Sequence, residues 1–290
     1  SKAKNVTVRN YKNGAVNNLT VNGPVTAAGG ISLVNDEADL KTTGTLTVGS
    51  GRLHEQAAGA LENEDSLTGD DIILNSTKGM INKILIATHK VELTAADEIL
   101  NQGIVRAGTT VTMTSAGSSI INKGDVEAKG GDVTMGAKTD LRNQGAVTGG
   151  QSVGLTSGQS MTNDKAVTAG QDLTMDAGTT LTNGGGLTAT DSSIELTAQK
   201  GLRQNGNATA GSSITMDNQQ DGDLVVTGDI QSGTAATIKN QNGDVTIDGQ
   251  VEAKTGDATV KTGSGDVLVK GKLDAGSDAI LQSDNGSVTM

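Results

Sequence analysis

The sequence lacks the residues that usually anchor a globular core. Among 290 residues there is no phenylalanine, no tryptophan and no cysteine, and there is one tyrosine, Tyr11. Aromatic side chains bury large apolar areas and dominate the packing of most cores. Their absence disfavours a compact globular domain and predicts a thin, aliphatic core.

Long apolar runs and an excess of basic residues are also missing. No stretch approaches the roughly 20 apolar residues that a membrane-spanning helix requires, so we expect no membrane insertion. The formal charge is −11, from 33 acidic and 22 basic residues. Proteins that bind nucleic acid neutralise phosphates with clustered basic side chains and often stack bases on aromatic rings. We therefore expect no nucleic-acid partner.

What the chain does contain is glycine and an internal repeat. Each glycine inside a helix costs about 1 kcal/mol relative to alanine, so the 41 glycines disfavour long helices. Short apolar segments recur every 19 to 22 residues instead. Their first members form one column: Leu19, Leu40, Leu61, Met80, Ile99, Ile120, Leu141, Met161, Leu181, Leu202, Leu224, Val245, Val267 and Val288.

Two further apolar columns keep the same register. The second lies six residues after the first and comprises Val25, Leu46, Leu67, Ile86, Val105, Val126, Val147, Val167, Leu187, Ala208, Ile230, Val251 and Leu273. The third lies five to seven residues further on and comprises Ile31, Leu53, Ile72, Val91, Val111, Val133, Val153, Leu173, Ile194, Ile214, Ala236, Ala258 and Ala279. Apolar and polar residues alternate in each segment, which is typical of a half-buried strand.

These columns predict the fold class. Three short strands per repeat, separated by the turn formers Gly, Asn and Asp, can pair only in parallel with their counterparts one repeat later. We predict an all-β, right-handed parallel β-helix, a solenoid of about fourteen coils of roughly 21 residues with three short strands per coil. Residues 1–290 are expected to form a single shaft segment. Because the chain stops partway through a coil at Met290, we expect a fragment of a longer exoprotein.

An amide column stands two residues after the first apolar column. It comprises Asn63, Asn82, Asn101, Asn122, Asn143, Asn163, Asn183 and Gln204, and it becomes apolar at Val226. Side chains two residues apart on a strand point to the same side. We therefore predict a structural amide ladder inside the solenoid, in which each amide bonds to those above and below. The alternative is that asparagine occupies left-handed turn positions, which it tolerates; the change to valine favours the inward position.

Residues 181–189, Leu-Thr-Asn-Gly-Gly-Gly-Leu-Thr-Ala, resemble the haemagglutinin repeats of filamentous-haemagglutinin-like exoproteins, as do residues 161–175. The resemblance is clearest from Ile99 to Ile214. Relatives include large adhesins and contact-dependent inhibition proteins, which cross the Gram-negative outer membrane by two-partner secretion. The resemblance implies a β-helical shaft outside the cell and an outer-membrane secretion partner. The family's secretion domain has Asn-Pro motifs, whereas the only proline here is Pro24, so shaft alone is implied.

Enzymatic chemistry is the main alternative, because pectin-cleaving enzymes also use parallel β-helices. Binding and catalytic faces of repeat proteins usually arise from insertions. The repeat length varies here by no more than three residues, which leaves no coil room for a long loop. We therefore predict no enzyme activity and no catalytic residues, with a carbohydrate-active β-helix enzyme or tailspike-like depolymerase as the alternative.

Metal and cofactor sites are not predicted either. His54 and His89 have no cysteine or third histidine to complete a metal site. Gly-Asp pairs recur at Asp223, Asp244 and Asp266, and their carboxylates could attract Ca²⁺, but turn formation is the favoured explanation.

The expected function is therefore that of a structural shaft in a secreted or cell-surface bacterial adhesin or exoprotein. Such a shaft would project a distal binding or toxin module, and a host or target-cell receptor would be bound by other parts of the parent protein. In a third hypothesis, the lateral face of the solenoid itself binds a host ligand.

Overall fold

The computed structural model describes residues 3–11 and 16–290, and all regular elements in these ranges are β-strands. The chain is a right-handed parallel β-helix of about fourteen coils, so the predicted fold class is confirmed. It divides into two compact units. The first comprises Ser1–Thr139 with Gln144–Thr148, and the second comprises Asp140–Asn143 with Gly149–Met290.

Each coil has three faces, named here by the apolar column that they carry. In the first unit, the first-face strands are Leu19–Val21, Leu40–Thr42, Leu61–Asn63, Met80–Asn82, Ile99–Asn101 and Ile120–Asn122. The second-face strands are Leu46–Val48, Ser66–Gly69, Ile84–Ala87, Val105–Ala107 and Val126–Ala128. The third-face strands are Ala3–Asn10, Arg52–Ala57, Asp71–Ser76, Lys90–Ala95, Thr110–Ser115 and Val133–Ala137. One long strand, Val25–Asn35, runs through the second and third faces.

The second unit repeats this arrangement. Its first-face strands are Leu141–Asn143, Met161–Asn163, Leu181–Asn183, Leu202–Gln204, Leu224–Val226, Val245–Ile247, Val267–Val269 and Val288–Thr289. Its second-face strands are Val167–Ala169, Leu187–Ala189, Ala208–Ala210, Ile230–Ser232, Val251–Ala253 and Leu273–Ala275. Its third-face strands are Val153–Ser157, Leu173–Ala177, Ile194–Ala198, Ile214–Asn218, Ala236–Asn242, Ala258–Ser264 and Ala279–Ser283. The strand Val147–Gly149 also belongs to the second face.

The strand register follows the predicted columns. On the first face, for example, Leu181 pairs with Met161 on one side and with Leu202 on the other. Side chains alternate along each strand, so that the column residues of the inner coils are buried and the threonines between them face outward. The core of each unit is therefore a stack of aliphatic layers without aromatic rings.

One position of the second column was predicted wrongly. Leu85, not Ile86, pairs with Leu67 and Val105, and it is fully buried. Ile86 lies opposite Thr68 on the outer side and is 40% exposed. The corner that follows Asn82 is one residue shorter than in the adjacent coils, where three residues lie between the amide and the next inward position. A shift of one residue exchanges the two faces of a strand.

The corners stack as closely as the strands do. At the corner between the first and second faces, a Cβ atom on Gly185 would overlap the carbonyl group of Lys165, and one on Gly206 would overlap that of Gly185. Neither glycine has a positive φ. Glycine is required there by the close approach of the backbones rather than by an unusual conformation.

Candidate functional site

A ladder of side-chain amides runs through the interior of the second unit. Asn143 donates from Nδ2 to Oδ1 of Asn163 at 2.6 Å, and Asn163 donates in the same way to Asn183, also at 2.6 Å. Asn183 donates to Oε1 of Gln204 at 3.0 Å. All four amides are fully buried, and each is carried by the last residue of a first-face strand.

The second N–H of these amides holds the next corner in place. Asn163 donates to the backbone carbonyl of Lys165 at 2.6 Å, and Asn183 donates to that of Gly185 at 2.7 Å. Gln204 makes the equivalent bond to Gly206 at 2.7 Å. In the described ranges only glycines have positive φ, so these asparagines do not occupy left-handed turn positions. Each amide thus links two coils and also satisfies a carbonyl that the corner would otherwise leave unpaired in the core.

The first unit contains a shorter ladder with an interruption. Asn82 donates to Asn101, and Asn101 donates to Oδ1 of Asn122 at 2.6 Å. Asn63 is also fully buried, but neither its Nδ2 nor its Oδ1 has a hydrogen-bond partner, and Oδ1 of Asn82 has none. The pairing between these two strands includes Ile81 opposite Glu62 but does not extend to the amides. The shortened corner after Asn82 accompanies this interruption.

A buried carboxyl group lies beside Asn63. Glu55 occupies an inward position of the third face, between Leu33 and Leu74 of the adjacent coils, and is fully buried. Its Oε1 accepts a hydrogen bond of 2.9 Å from the Thr42 hydroxyl, whereas its Oε2 has no partner. Burial raises the pKa of Glu55 to about 7, against smaller lowering effects of Thr42 and of the Asn63 amide. The carboxyl group therefore changes its charge near neutral pH.

Sequence reasoning did not identify Glu55, although a signal was present. Positions two residues after the third column are inward by the same period-2 rule. In other coils these positions are apolar, as in Leu33, Leu74, Leu93 and Met113, and Glu55 is the exception.

A second buried amide pair was also missed. Asn218 donates to Oδ1 of Asn240 at 2.8 Å and to the carbonyl oxygen of Gly222 at 2.9 Å. Both lie four residues after the third column, a position that is filled by Asn35 in the first unit, by Thr262 in the second and by serine or alanine in the other coils. The corners that follow Asn218 and Asn240 contain more residues than those of most coils, which leaves room for the larger side chains.

The recurrent Gly-Asp pairs form corners and hold them together. Gly222, Gly243 and Gly265 have positive φ, between 89 and 121°. The Asp carboxylates accept backbone N–H groups one coil later, as in the bond of 2.8 Å from Asp266 to Oδ1 of Asp244. The described residues contain no group of three or more His, Cys, Asp and Glu side chains that could hold a metal ion.

The two histidines, His54 and His89, lie on the outer side of the first unit. His54 is half-buried on the outer side of the third face, and its pKa is lowered by burial and, to a smaller degree, by Arg52. His89 is exposed at a corner of the same unit. His89 lies near Asp70, which accepts a hydrogen bond of 2.6 Å from the Thr88 hydroxyl.

A shallow groove of about 640 Å³ follows the widened corner of the second unit. Its floor carries Lys239 and Lys261, which lie directly opposite each other on adjacent strands. Amide side chains, including Gln199, Gln219 and Gln241, surround them. The groove is polar and open, and it is formed by short corner extensions rather than by an inserted loop.

Comparison of the chain with protein-family models, with curated proteins and with solved structures finds no match. No helix that could cross a membrane occurs among the described residues.

Proposed function

We propose that the chain is a structural shaft of a secreted or cell-surface bacterial exoprotein, which holds a distal binding or toxin module away from the cell. The supporting observation is the parallel coil-to-coil pairing within each unit, in which the strands of all three faces repeat. Parallel strands at a spacing of about 4.8 Å link each coil to the next through backbone hydrogen bonds, so a load on one coil passes to its neighbours.

The interior also holds successive coils together. Aliphatic columns bury apolar area at every level, and the amide ladders add side-chain hydrogen bonds between coils. In solenoids, stability is approximately a sum over repeats and their interfaces. The length of the shaft can therefore change by whole coils without a change in the rest of the protein.

The proposed partners rest on the resemblance to filamentous-haemagglutinin-like exoproteins. An outer-membrane secretion partner would export the chain, and a receptor would be contacted by other parts of the parent protein.

Removal of two whole coils tests whether the length of the shaft is set by the number of its coils. Deletion of residues 161–201 joins Ser160 to Leu202 and leaves Asn143 and Gln204 to continue the ladder. We expect a folded protein whose maximum dimension in small-angle X-ray scattering is shorter by about 10 Å, since each coil adds about 4.8 Å. The matched control deletes half a coil, residues 161–170, and should lose cooperative unfolding. An unchanged dimension in a folded two-coil deletion would contradict the proposal.

The groove over Lys239 and Lys261 supports a second candidate, namely that the lateral face binds a ligand directly. Lys239 lies opposite Lys261 on one adjacent strand and opposite Asp217 on the other, so the groove presents charges of both signs and several amides to a polar ligand. If the lateral face is adhesive, the isolated chain should bind target cells and Lys239→Gln with Lys261→Gln should reduce that binding. A passive shaft should show no binding with either protein.

A further inference from the structure

Three side chains meet in the core of the first unit in an arrangement that the shaft role does not require. Thr42 and Asn63 are the inward last residues of adjacent first-face strands, and they lie directly opposite each other. Glu55 reaches them from the third face, where its Oε1 accepts the hydrogen bond from the Thr42 hydroxyl at 2.9 Å. All three are at most 1% exposed. A hydroxyl, a carboxyl group and a carboxamide therefore adjoin in a space that excludes water.

The Asn63 carboxamide differs from the ladder amides of its unit. Asn101 donates both to Asn122 and to the Gly103 carbonyl at 2.7 Å, which fixes its side chain. Asn63 lacks both of these bonds: it is fully buried, and neither its Nδ2 nor its Oδ1 has a partner in full hydrogen-bond geometry, although the amide lies close enough to Glu55 to lower the pKa of that carboxyl group. A buried amide without well-formed hydrogen bonds costs free energy, and a reaction that removes the amide nitrogen relieves that cost.

The three groups have the roles that acyl transfer needs. A hydroxyl becomes a nucleophile when an adjacent base takes its proton. Such a base works best when its pKa lies near the working pH, and burial gives Glu55 a pKa of about 7. The carboxamide carbon is the electrophile, and its nitrogen is the leaving group once it is protonated.

We propose that Thr42 and Asn63 form an intramolecular ester between adjacent coils, with Glu55 as the catalytic residue. The Glu55 carboxylate takes the hydroxyl proton of Thr42 while Oγ1 attacks Cγ of Asn63. Glu55 then gives that proton to Nδ2, the Cγ–Nδ2 bond breaks, and ammonia leaves. One C–O bond replaces one C–N bond, no oxidant or reductant is involved, and Glu55 is regenerated. The product joins residues 42 and 63 covalently.

This inference is independent of the proposed shaft function, although a bond across two coils would oppose their separation under load. It also accounts for the unpartnered polar atoms of Asn63, because the ester removes the amide N–H groups that have no acceptor.

Peptide mapping of the full chain tests the proposal. After denaturation, trypsin separates residues 42–52 from residues 53–78, because Lys41, Arg52 and Lys78 are cleavage sites. In the wild-type protein we expect one linked species that is lighter than the two peptides together by one ammonia molecule. Mild alkali should split it and leave aspartate at position 63. A succinimide on another asparagine would also lose ammonia, but it would not join these peptides.

Variants assign the roles. Thr42→Val and Glu55→Gln should each give two separate peptides of full mass, whereas Thr42→Ser, which keeps the hydroxyl, should retain the link. Thr47→Val is the matched control, since Thr47 lies in the same tryptic peptide but faces outward, and it should also retain the link. Circular dichroism confirms that each variant is folded. Two separate, unmodified peptides from folded wild-type protein kept at neutral pH would overturn the proposal.

Discussion

The Thr42 hydroxyl donates a hydrogen bond of 2.9 Å to Glu55 Oε1 inside the core. On the third face of the two adjacent coils, the residues opposite Glu55 are the aliphatic Leu33 and Leu74. Among residues 3–11 and 16–290, no lysine or arginine side chain is buried in this interior. The charged residues nearest in sequence on the same strand, Arg52 and His54, point outward. Glu55 is therefore held in its neutral form by desolvation up to a pH of about 7.

The first prediction concerns the pH dependence of stability. Because the folded-state pKa of Glu55, about 7, exceeds its ordinary value of 4.5, the folded state binds more protons than the unfolded state between these values. The free energy of unfolding should therefore fall as the pH rises through this window, and Glu55 should contribute a loss of about 3 kcal/mol. Urea unfolding at several pH values measures it.

Glu55→Gln is the matched variant for this prediction, since it keeps the shape and cannot ionise. In a Thr42→Val background, which excludes the proposed ester, the difference in stability with and without Glu55→Gln should be small at acidic pH and should grow toward pH 7 in favour of Glu55→Gln. A difference that does not change with pH would show that Glu55 does not titrate in the folded protein.

The second prediction concerns the amide ladder of the second unit. Asn163→Val should destabilise the protein by roughly 3 kcal/mol, because it leaves an N–H of Asn143 and the Oδ1 of Asn183 unpaired in the core. Gln204→Val should cost about 1 kcal/mol, because Gln204 has an amide on one side only and Val226 on the other. Chemical denaturation of both variants gives the comparison. Equal losses would mean that the ladder adds nothing beyond burial.

The third prediction concerns the corners. Gly185→Ala should destabilise the second unit by roughly 2 kcal/mol, since the new methyl group overlaps the Lys165 backbone and the coils must separate. Gly154→Ala is the control: its Cβ would meet no atom within 4 Å, and a strand glycine gains from replacement. Thermal unfolding should show a lower Tm for the first variant and an equal or higher Tm for the second.

The fourth prediction tests the shortened corner after Asn82. Leu85→Thr should cost roughly 3 kcal/mol, because it removes a fully buried apolar side chain and places a hydroxyl in the core. Ile86→Thr should change stability by less than about 0.5 kcal/mol, since Ile86 faces outward. A larger loss of stability for Ile86→Thr than for Leu85→Thr would show that Ile86 points inward, as the six-residue spacing predicts.

Most of the fold could be predicted from the sequence, because each strand repeats the same inward and outward pattern as its neighbours. The column of Leu141, Met161 and Leu181 needs only this periodicity. Ile86 was misplaced because apolar residues stand at positions 84, 85 and 86 alike, and only the backbone of the corner decides which one turns inward. Periodicity predicts the side to which a side chain points, but it does not report corner length.

The polar interior was predictable in part. The recurrence of asparagine two residues after the first column predicts inward amides, as the structure places them. The sequence does not show that Asn63 stands apart from Asn82 or that Glu55 reaches Thr42, because these contacts join different faces of the coil. Contacts across the interior depend on the three-dimensional path of two corners, and spacing along one strand carries no information about them.

The amides of each ladder all point the same way, with the N–H of the earlier coil directed at the oxygen of the later one. An asparagine that entered the stack with its amide reversed would set N–H against N–H. Every completed coil therefore dictates the side-chain orientation of the coil that follows it. The ladder therefore passes one amide orientation from coil to coil. The side-chain hydrogen bonds thus have the same polarity along the solenoid axis throughout each ladder, as the parallel strands have one chain direction.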